Sequence, residues 1–383
     1  MKPLYFDHGA TTPLRREVHQ AMIQCMEETF ANPGSLHDEG TQAADQVEHA
    51  RKQMASAIGA SSREILFTGS GTEANNLAIL GAARKARRRG RHIITTQVEH
   101  PSVLKPCHQL EEEGFRVTYL PVDEMGMISL QDLDEALTPE TILVSVMAAN
   151  NEVGTLMPIH EIADRLRKRR ILFHTDAVQY FGKHPFDVSR LGVDLLTLSG
   201  HKINGPKGIG ALYLRKGIRL DPLLFGGGQE RGLRPGTQNV PGIAGLGVAA
   251  RLAAEEATDT ERHLIELRNL LWNRISREIP GVRLNGHPEH RLSSNLNLSF
   301  DRVEGQAILL ELNRSGISVS SGSACSAGKH APSHVLTAMG RHPEEAYQSL
   351  RITLGKENGE EDIHTLVERL KEVLGYLRSL IRG

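Results

Sequence analysis

Two side chains set the first chemical expectation. Lys202 sits in the turn Ser199-Gly200-His201-Lys202, directly after the apolar run Val193-Asp194-Leu195-Leu196-Thr197-Leu198. Asp176 closes another such run, Arg170-Ile171-Leu172-Phe173-His174-Thr175. A lysine just past a buried strand, partly desolvated, loses its proton readily and can bind an aldehyde covalently. A strand-end carboxylate can pair with a pyridinium nitrogen, and a pyridoxal-phosphate (PLP) cofactor needs both partners. Each residue alone has an ordinary explanation, since a lysine in a turn is usually a solvated surface lysine. The expectation therefore depends on what else the chain places beside them.

Other segments offer the remaining parts of such a site. Gly69-Ser70-Gly71-Thr72-Glu73-Ala74-Asn75-Asn76 follows an apolar run ending at Phe67 and opens a helical pattern. Free backbone amides at a helix N-terminus, with small residues and the Thr72 hydroxyl, form a phosphate cradle; the same spacing also suits an ordinary strand-to-helix turn. His100, in Gln97-Val98-Glu99-His100-Pro101-Ser102, could stack on a flat heteroaromatic ring and move protons, ahead of a helix that Ser102 could cap. Asn150-Asn151-Glu152-Val153-Gly154 can present an amide to a carboxylate, and Gln179 can hydrogen-bond a ring hydroxyl. Arg351, in the strand-like run Ser349-Leu350-Arg351-Ile352-Thr353-Leu354, needs an anion, either a substrate carboxylate or a structural partner.

Cys325 differs from the other two cysteines. It lies among small residues, Ser320-Ser321-Gly322-Ser323-Ala324-Cys325-Ser326-Ala327-Gly328, which predicts a mobile exposed loop over about 320–332 and an accessible thiol. Cys25 and Cys107 align with apolar helix faces and read as inert core residues. Three separated cysteines form neither a disulfide framework nor metal-ligand spacing.

The elements that must position these groups follow from periodicity. Apolar runs at 65–67, 93–94, 117–120, 142–146, 171–173, 195–198 and 209–214 predict seven strands alternating with helices, hence an α/β fold with a mainly parallel sheet. After about Ala250 a helix over Glu261–Ile279, a half-exposed strand at Leu296–Phe300 and a final amphipathic helix suggest a smaller α+β domain. The expected division is residues 15–250 for the large domain, with 1–14 and 251–383 forming the small one.

Composition narrows the partners. The 383 residues carry 45 basic and 46 acidic side chains, so nothing favours nucleic acid or an anionic membrane as main partner. No apolar run approaches a membrane span, and no signal-type apolar core follows Met1. A reducing, cytoplasmic setting is expected.

Taken in order, these segments resemble the cysteine desulfurases of the class V aminotransferase family, the NifS/IscS-like group. The likeness runs from Tyr5-Phe6-Asp7-His8-Gly9-Ala10-Thr11-Thr12-Pro13 to Arg351 and includes Asn32-Pro33-Gly34-Ser35-Leu36-His37 and Arg234-Pro235-Gly236-Thr237. The resemblance implies a fold-type I PLP-dependent transferase acting as a homodimer. Lys202 would carry the cofactor as a Schiff base and act as base, His100 would stack on the ring, Asp176 would pair with its nitrogen and Gln179 with its oxygen. Gly71, Thr72, Ser199 and His201 would hold the phosphate, with Thr237 reaching in from the other subunit. Asn151 would contact cofactor and substrate, and Arg351 would hold the carboxylate of L-cysteine.

Cys325 would take the substrate sulfur as a persulfide, leaving alanine, and pass it to an iron–sulfur scaffold or another thiolation acceptor. Whether Cys325 also ligates an iron–sulfur cluster in transit stays open. A selenocysteine lyase or another class V aminotransferase would share most of these residues, and a non-catalytic assembly scaffold is a third alternative. The Ser-Gly-Ser-Ala-Cys form is similar to the long-loop group, while His8-Gly9 departs from the commoner residues at that place.

Overall fold

The computed structural model describes residues 3–321 and 332–382. The apolar runs form strands. After the short β1 (Leu4–Tyr5) come β2 (Ile65–Thr68), β3 (His92–Thr96), β4 (Arg116–Leu120), β5 (Thr141–Ser145), β6 (Leu172–Asp176), β7 (Leu195–Ser199) and β8 (Gly210–Leu214). These last seven form one sheet in the order β2-β8-β7-β6-β5-β3-β4. Strands β3 to β7 pair in parallel, and β8 runs antiparallel to both its neighbours.

Successive residues of a strand point to opposite faces, and here both faces meet apolar cover. Ile65, Phe67, Ile94, Val144, Leu196 and Leu198 enter one core, which includes the helix Asp38–Ala57 and the start of the helix Val240–Glu278. Leu66, Ile93, Leu143, Leu195 and Leu212 enter another, built on the helices Gly71–Ala86 and Pro101–Glu112. Burial on both faces explains why these strands read as continuous apolar runs.

The chain then adds β9 (Val282–Asn285), β10 (Asn295–Phe300), β11 (Ile317–Ser318) and β12 (Ser349–Thr353). A three-stranded antiparallel sheet has the order β12-β10-β9, and β1 pairs in parallel with β11. Its core takes Phe6 from the N-terminal segment, together with Leu296, Leu298 and Phe300 from β10 and Leu366, Leu370 and Leu374 from the helix Glu360–Arg382. The helix Val240–Glu278 passes from one core to the other: Val240 to Ala250 pack under the large sheet, and Leu264 to Ile275 in the smaller core. Among the described residues, no helix is long and apolar enough to cross a membrane.

Two expectations need correction. The helix expected over 261–279 is the second half of a longer one that starts at Val240. Strand β10 is buried at every position, not half-exposed. Its polar face is satisfied inside the protein. Asn295 and Asn297 each donate through Nδ2 to the Glu152 carbonyl at 3.2 Å, and Asn285 donates to Asn297 and Ser299 at 2.8 Å. Alternation reports a polar partner on one face; here that partner is protein rather than water.

Candidate active site

In open α/β sheets ligands bind beyond the carboxyl ends of the strands, and the expected residues gather there. Gly71 and Thr72 follow β2, His100 follows β3, Asn151 follows β5, Asp176 ends β6, and Ser199, His201 and Lys202 follow β7. All of them, together with Gln179 and Arg351, line one cavity of about 320 Å³. Thr237 is exposed and does not line the cavity of its own chain. Cys325 lies outside the described residues, so neither its thiol nor the expected iron–sulfur ligation is placed.

The close approach of β2 and β7 depends on β8 between them. Gly210 pairs with both Thr68 and Ser199, and a Cβ there would lie 2.6 Å from the Ser70 carbonyl carbon. A Cβ on Gly71 would lie 3.2 Å from Ser199 Cβ and from Val178 Cγ2. The absence of side chains at both positions brings the N-terminus of the helix Gly71–Ala86 against Ser199, leaving backbone amides at the cavity wall. Ser70 caps this helix by accepting from the Glu73 amide at 3.1 Å. Glu73 accepts from the Gly69 amide at 2.7 Å and from Arg234 Nε at 2.9 Å, tying the turn to the segment that carries Thr237.

Asp176 is buried, and each carboxylate oxygen has a donor: the Val178 amide at 3.0 Å and Asn75 Nδ2 at 2.7 Å. Asn75 also donates to Ser102 Oγ at 2.8 Å, which lies 2.7 Å from His100 Nδ1. Asn75 thus links the carboxylate to the histidine. The sequence reading gave it no role, although it lies four residues after Gly71, one turn along the same helix face.

His100, not Ser102, is the N-cap of the helix Pro101–Glu112: its Nδ1 accepts from the Ser102 amide at 3.1 Å. Ser102 lies two residues past the cap position and instead turns its hydroxyl to Asn75 and His100. An accepting Nδ1 leaves the ring proton on Nε2 when the imidazole is neutral. Burial pushes the His100 pKa down, and Lys202 and His334 add to this against the pull of Asp176. The ring is therefore neutral near pH 7 and suited to stacking. His201 is also neutral, pushed down to about 4 by burial and by Lys202 and Lys207.

Lys202 Nζ donates to the Gly9 carbonyl at 2.5 Å and the Ala10 carbonyl at 2.8 Å, so the N-terminal segment closes over it. Arg351 is buried; Nη1 donates to the Asn151 carbonyl and Nη2 to Asp7 Oδ1, each at 3.0 Å, while Nε has no partner among the described residues. Ser320 and Arg351 exchange backbone hydrogen bonds of 3.1 and 2.6 Å, and Ser333 Oγ donates 2.5 Å to Glu152 Oε2. Ser320 and Ser333, one residue in from either side of 322–331, are thus fastened to groups that line the cavity. Cys25 and Cys107 are buried, and burial pushes both thiols up, leaving them protonated.

These groups fit PLP. Helix amides and small hydroxyls suit a phosphate, the Asp176 carboxylate suits a protonated ring nitrogen, and Lys202 lines the same cavity, where it can meet an aldehyde.

Known proteins give a consistent comparison. The family model described as Aminotransferase class-V matches residues 4–366. The chain is 49% identical over 379 residues to the cysteine desulfurase IscS of Methanosarcina thermophila, covering 99% of this chain and 94% of that protein. A solved structure described as a NifS-like protein aligns with TM-score 0.92 and 39% identity, covering 98% of this chain and all 100% of the other. Another, described as SspA in complex with cysteine, aligns with TM-score 0.82 and 40% identity, covering 92% and 99% respectively.

Proposed function

The chain belongs to the class-V aminotransferase family, and on that premise we propose that it is a cysteine desulfurase, with PLP as cofactor and L-cysteine as substrate. The observation that carries this reading is the convergence of Lys202, Asp176 and His100 on one cavity walled by the N-terminus of the helix Gly71–Ala86.

When bound, PLP supplies an electron sink for bonds at the substrate's α and β carbons. Lys202 would hold it covalently and could carry protons to and from the substrate. Asp176, fixed by Asn75 and the Val178 amide, would pair with the ring nitrogen. His100 covers one face of the ring and keeps water off it. Gln179 donates to the ring oxygen. Gly71, Thr72, Ser199 and His201 take the phosphate, joined by the partner subunit's Thr237 in a homodimer; the exposure of Thr237 outside its own cavity supports that arrangement. Asn151 and Arg351 orient the substrate carboxylate. Cys325 attacks the substrate sulfur as thiolate, forming an S–S bond as the C–S bond breaks, and the carbon skeleton leaves as alanine.

The persulfide would then pass to an iron–sulfur scaffold or other thiolation acceptor, with Cys325 as a transient cluster ligand in the first case. A reducing cytoplasm would keep the Cys325 thiol free to react. We also place the two domains at residues 15–250 and at 1–14 with 251–383, supported by the separate cores that Val240–Glu278 joins. The holoenzyme with L-cysteine and a thiol reductant should release sulfide and alanine in equal amounts, and Lys202→Ala should release neither. Alanine without sulfide would refute the reading.

A further inference from the structure

One buried cation has no part in this chemistry so far. Lys183 is 7% exposed, and its Nζ donates to Gln179 Oε1 at 2.7 Å. Gln179 Nε2 donates to the Gly9 carbonyl at 2.9 Å, the carbonyl that also accepts Lys202 Nζ at 2.5 Å. The local chain brings this about: Gly182 takes φ +78°, and Lys183 N–H closes on the Tyr180 carbonyl at 3.2 Å, so the lysine four residues on curls back over Gln179. An ammonium has only donors and a carbonyl only lone pairs. The two partners therefore fix which end of the Gln179 amide points which way. Oε1 is drawn back to Lys183, and the NH2 lies on the side of Gly9, at the cavity both residues line. Gly9 alone holds the amide weakly, because its carbonyl is shared with Lys202.

We infer that Lys183 is a positioning residue that holds the Gln179 amide so that it offers an N–H, and not an oxygen, to the ring oxygen of the cofactor. This rests on the reading of the cavity as a PLP site. The ring oxygen is anionic while the cofactor is joined to Lys202; a donor there stabilises it, whereas an amide oxygen turned toward it would repel it. Stabilising that anion makes the Schiff-base nitrogen less basic, so the bound cofactor loses its proton at lower pH. Lys183 itself lies in a positive field: burial, Lys202 and Arg351 push its pKa down to about 7, with His8 and His184 also within reach of its charge.

The test is a pH titration of the visible absorption of the PLP-loaded protein, with apo-protein melting as a fold control. Lys183→Met and Gln179→Ala should each raise the midpoint by about half to one pH unit, and the double variant should rise no further than Gln179→Ala alone. Lys183→Gln, which keeps a donor but discards the charge, should stay near wild type; it carries the test if the Met variant fails to fold. An unchanged midpoint in Lys183→Met, full additivity in the double variant, or Lys183→Gln following Met would each overturn the proposal. A wild-type protein that forms no visible band with PLP would instead overturn the cofactor reading beneath it.

Discussion

The amide nitrogen of Asn75 lies 2.7 Å from the Asp176 carboxylate and 2.8 Å from Ser102 Oγ, joining the acid of β6 to the histidine that caps the helix after β3. Both Asn75 and Asp176 are buried, so the donor substitutes for the water an ionised carboxylate would otherwise hold.

Asn75→Ala should therefore weaken catalysis through the loosened Asp176. The carboxylate loses a charge-assisted hydrogen bond worth about 1.5–3 kcal/mol, and its hold on the ring nitrogen slackens. A fall in kcat of about tenfold or more, with looser PLP binding, is expected from steady-state kinetics and cofactor titration. An unchanged kcat would show that Asp176 needs no such support.

Gly210 predicts a steric effect of a different kind. Gly210→Ala would set a Cβ 2.6 Å from the Ser70 carbonyl carbon, and backbone must move to admit it. The turn before Gly71 should shift, and PLP affinity should drop by about tenfold or more while the sheet still forms. Equilibrium dialysis of PLP and circular dichroism separate the two effects.

Much of this arrangement was legible in the chain. The seven strand runs and the residues at their carboxyl ends stand out because burial on both faces leaves unbroken apolar segments. What the chain concealed are contacts between polar side chains far apart in sequence. Nothing near Asn75 announces Asp176, 101 residues away. The alternation of β10 indicates a polar partner without saying that it is the loop at Glu152. Nothing in the sequence marks Lys183 as buried. Ser102 looks like a cap, but the ring of His100 takes that place.

The buried pair Arg51 and Glu230 gives a stability prediction. Arg51 Nη1 and Nη2 meet the two carboxylate oxygens at 2.7 and 2.8 Å, and Glu230 also accepts from the Phe67 amide at 3.0 Å. Burial pushes the Glu230 pKa up, but Arg51 outweighs it and holds the group below its ordinary 4.5. A lowered carboxylate pKa contributes stability above the ordinary value, lost as pH falls through the folded one. Glu230→Ala leaves the buried Arg51 with the exposed Glu48, 2.8 Å from its Nε, as remaining acid partner, and should cost about 3 kcal/mol in denaturant unfolding.

His174 sets a second pH limit. It is fully buried between Ser145 Oγ at 2.8 Å and Thr197 Oγ1 at 3.1 Å, and burial pushes its pKa down to about 3. The unfolded chain takes up a proton near pH 6.5 that the folded one refuses. Stability should therefore fall by up to about 1.4 kcal/mol per pH unit from 6.5 toward 3. His174→Asn should flatten that slope relative to wild type, and an equal slope in both would rule out His174 as its source.

On the proposed function, Cys325 receives the sulfur of L-cysteine in a reaction prepared by Lys202. Mass spectrometry of the Cys325 peptide, after the PLP-loaded protein meets L-cysteine without reductant, tests it most directly. One added sulfur atom on Cys325, absent in Lys202→Ala, together with one alanine per sulfur, is the predicted result. Alanine formed with Cys325 unmodified, or a Cys325→Ser variant that still forms alanine at the wild-type rate, would contradict it.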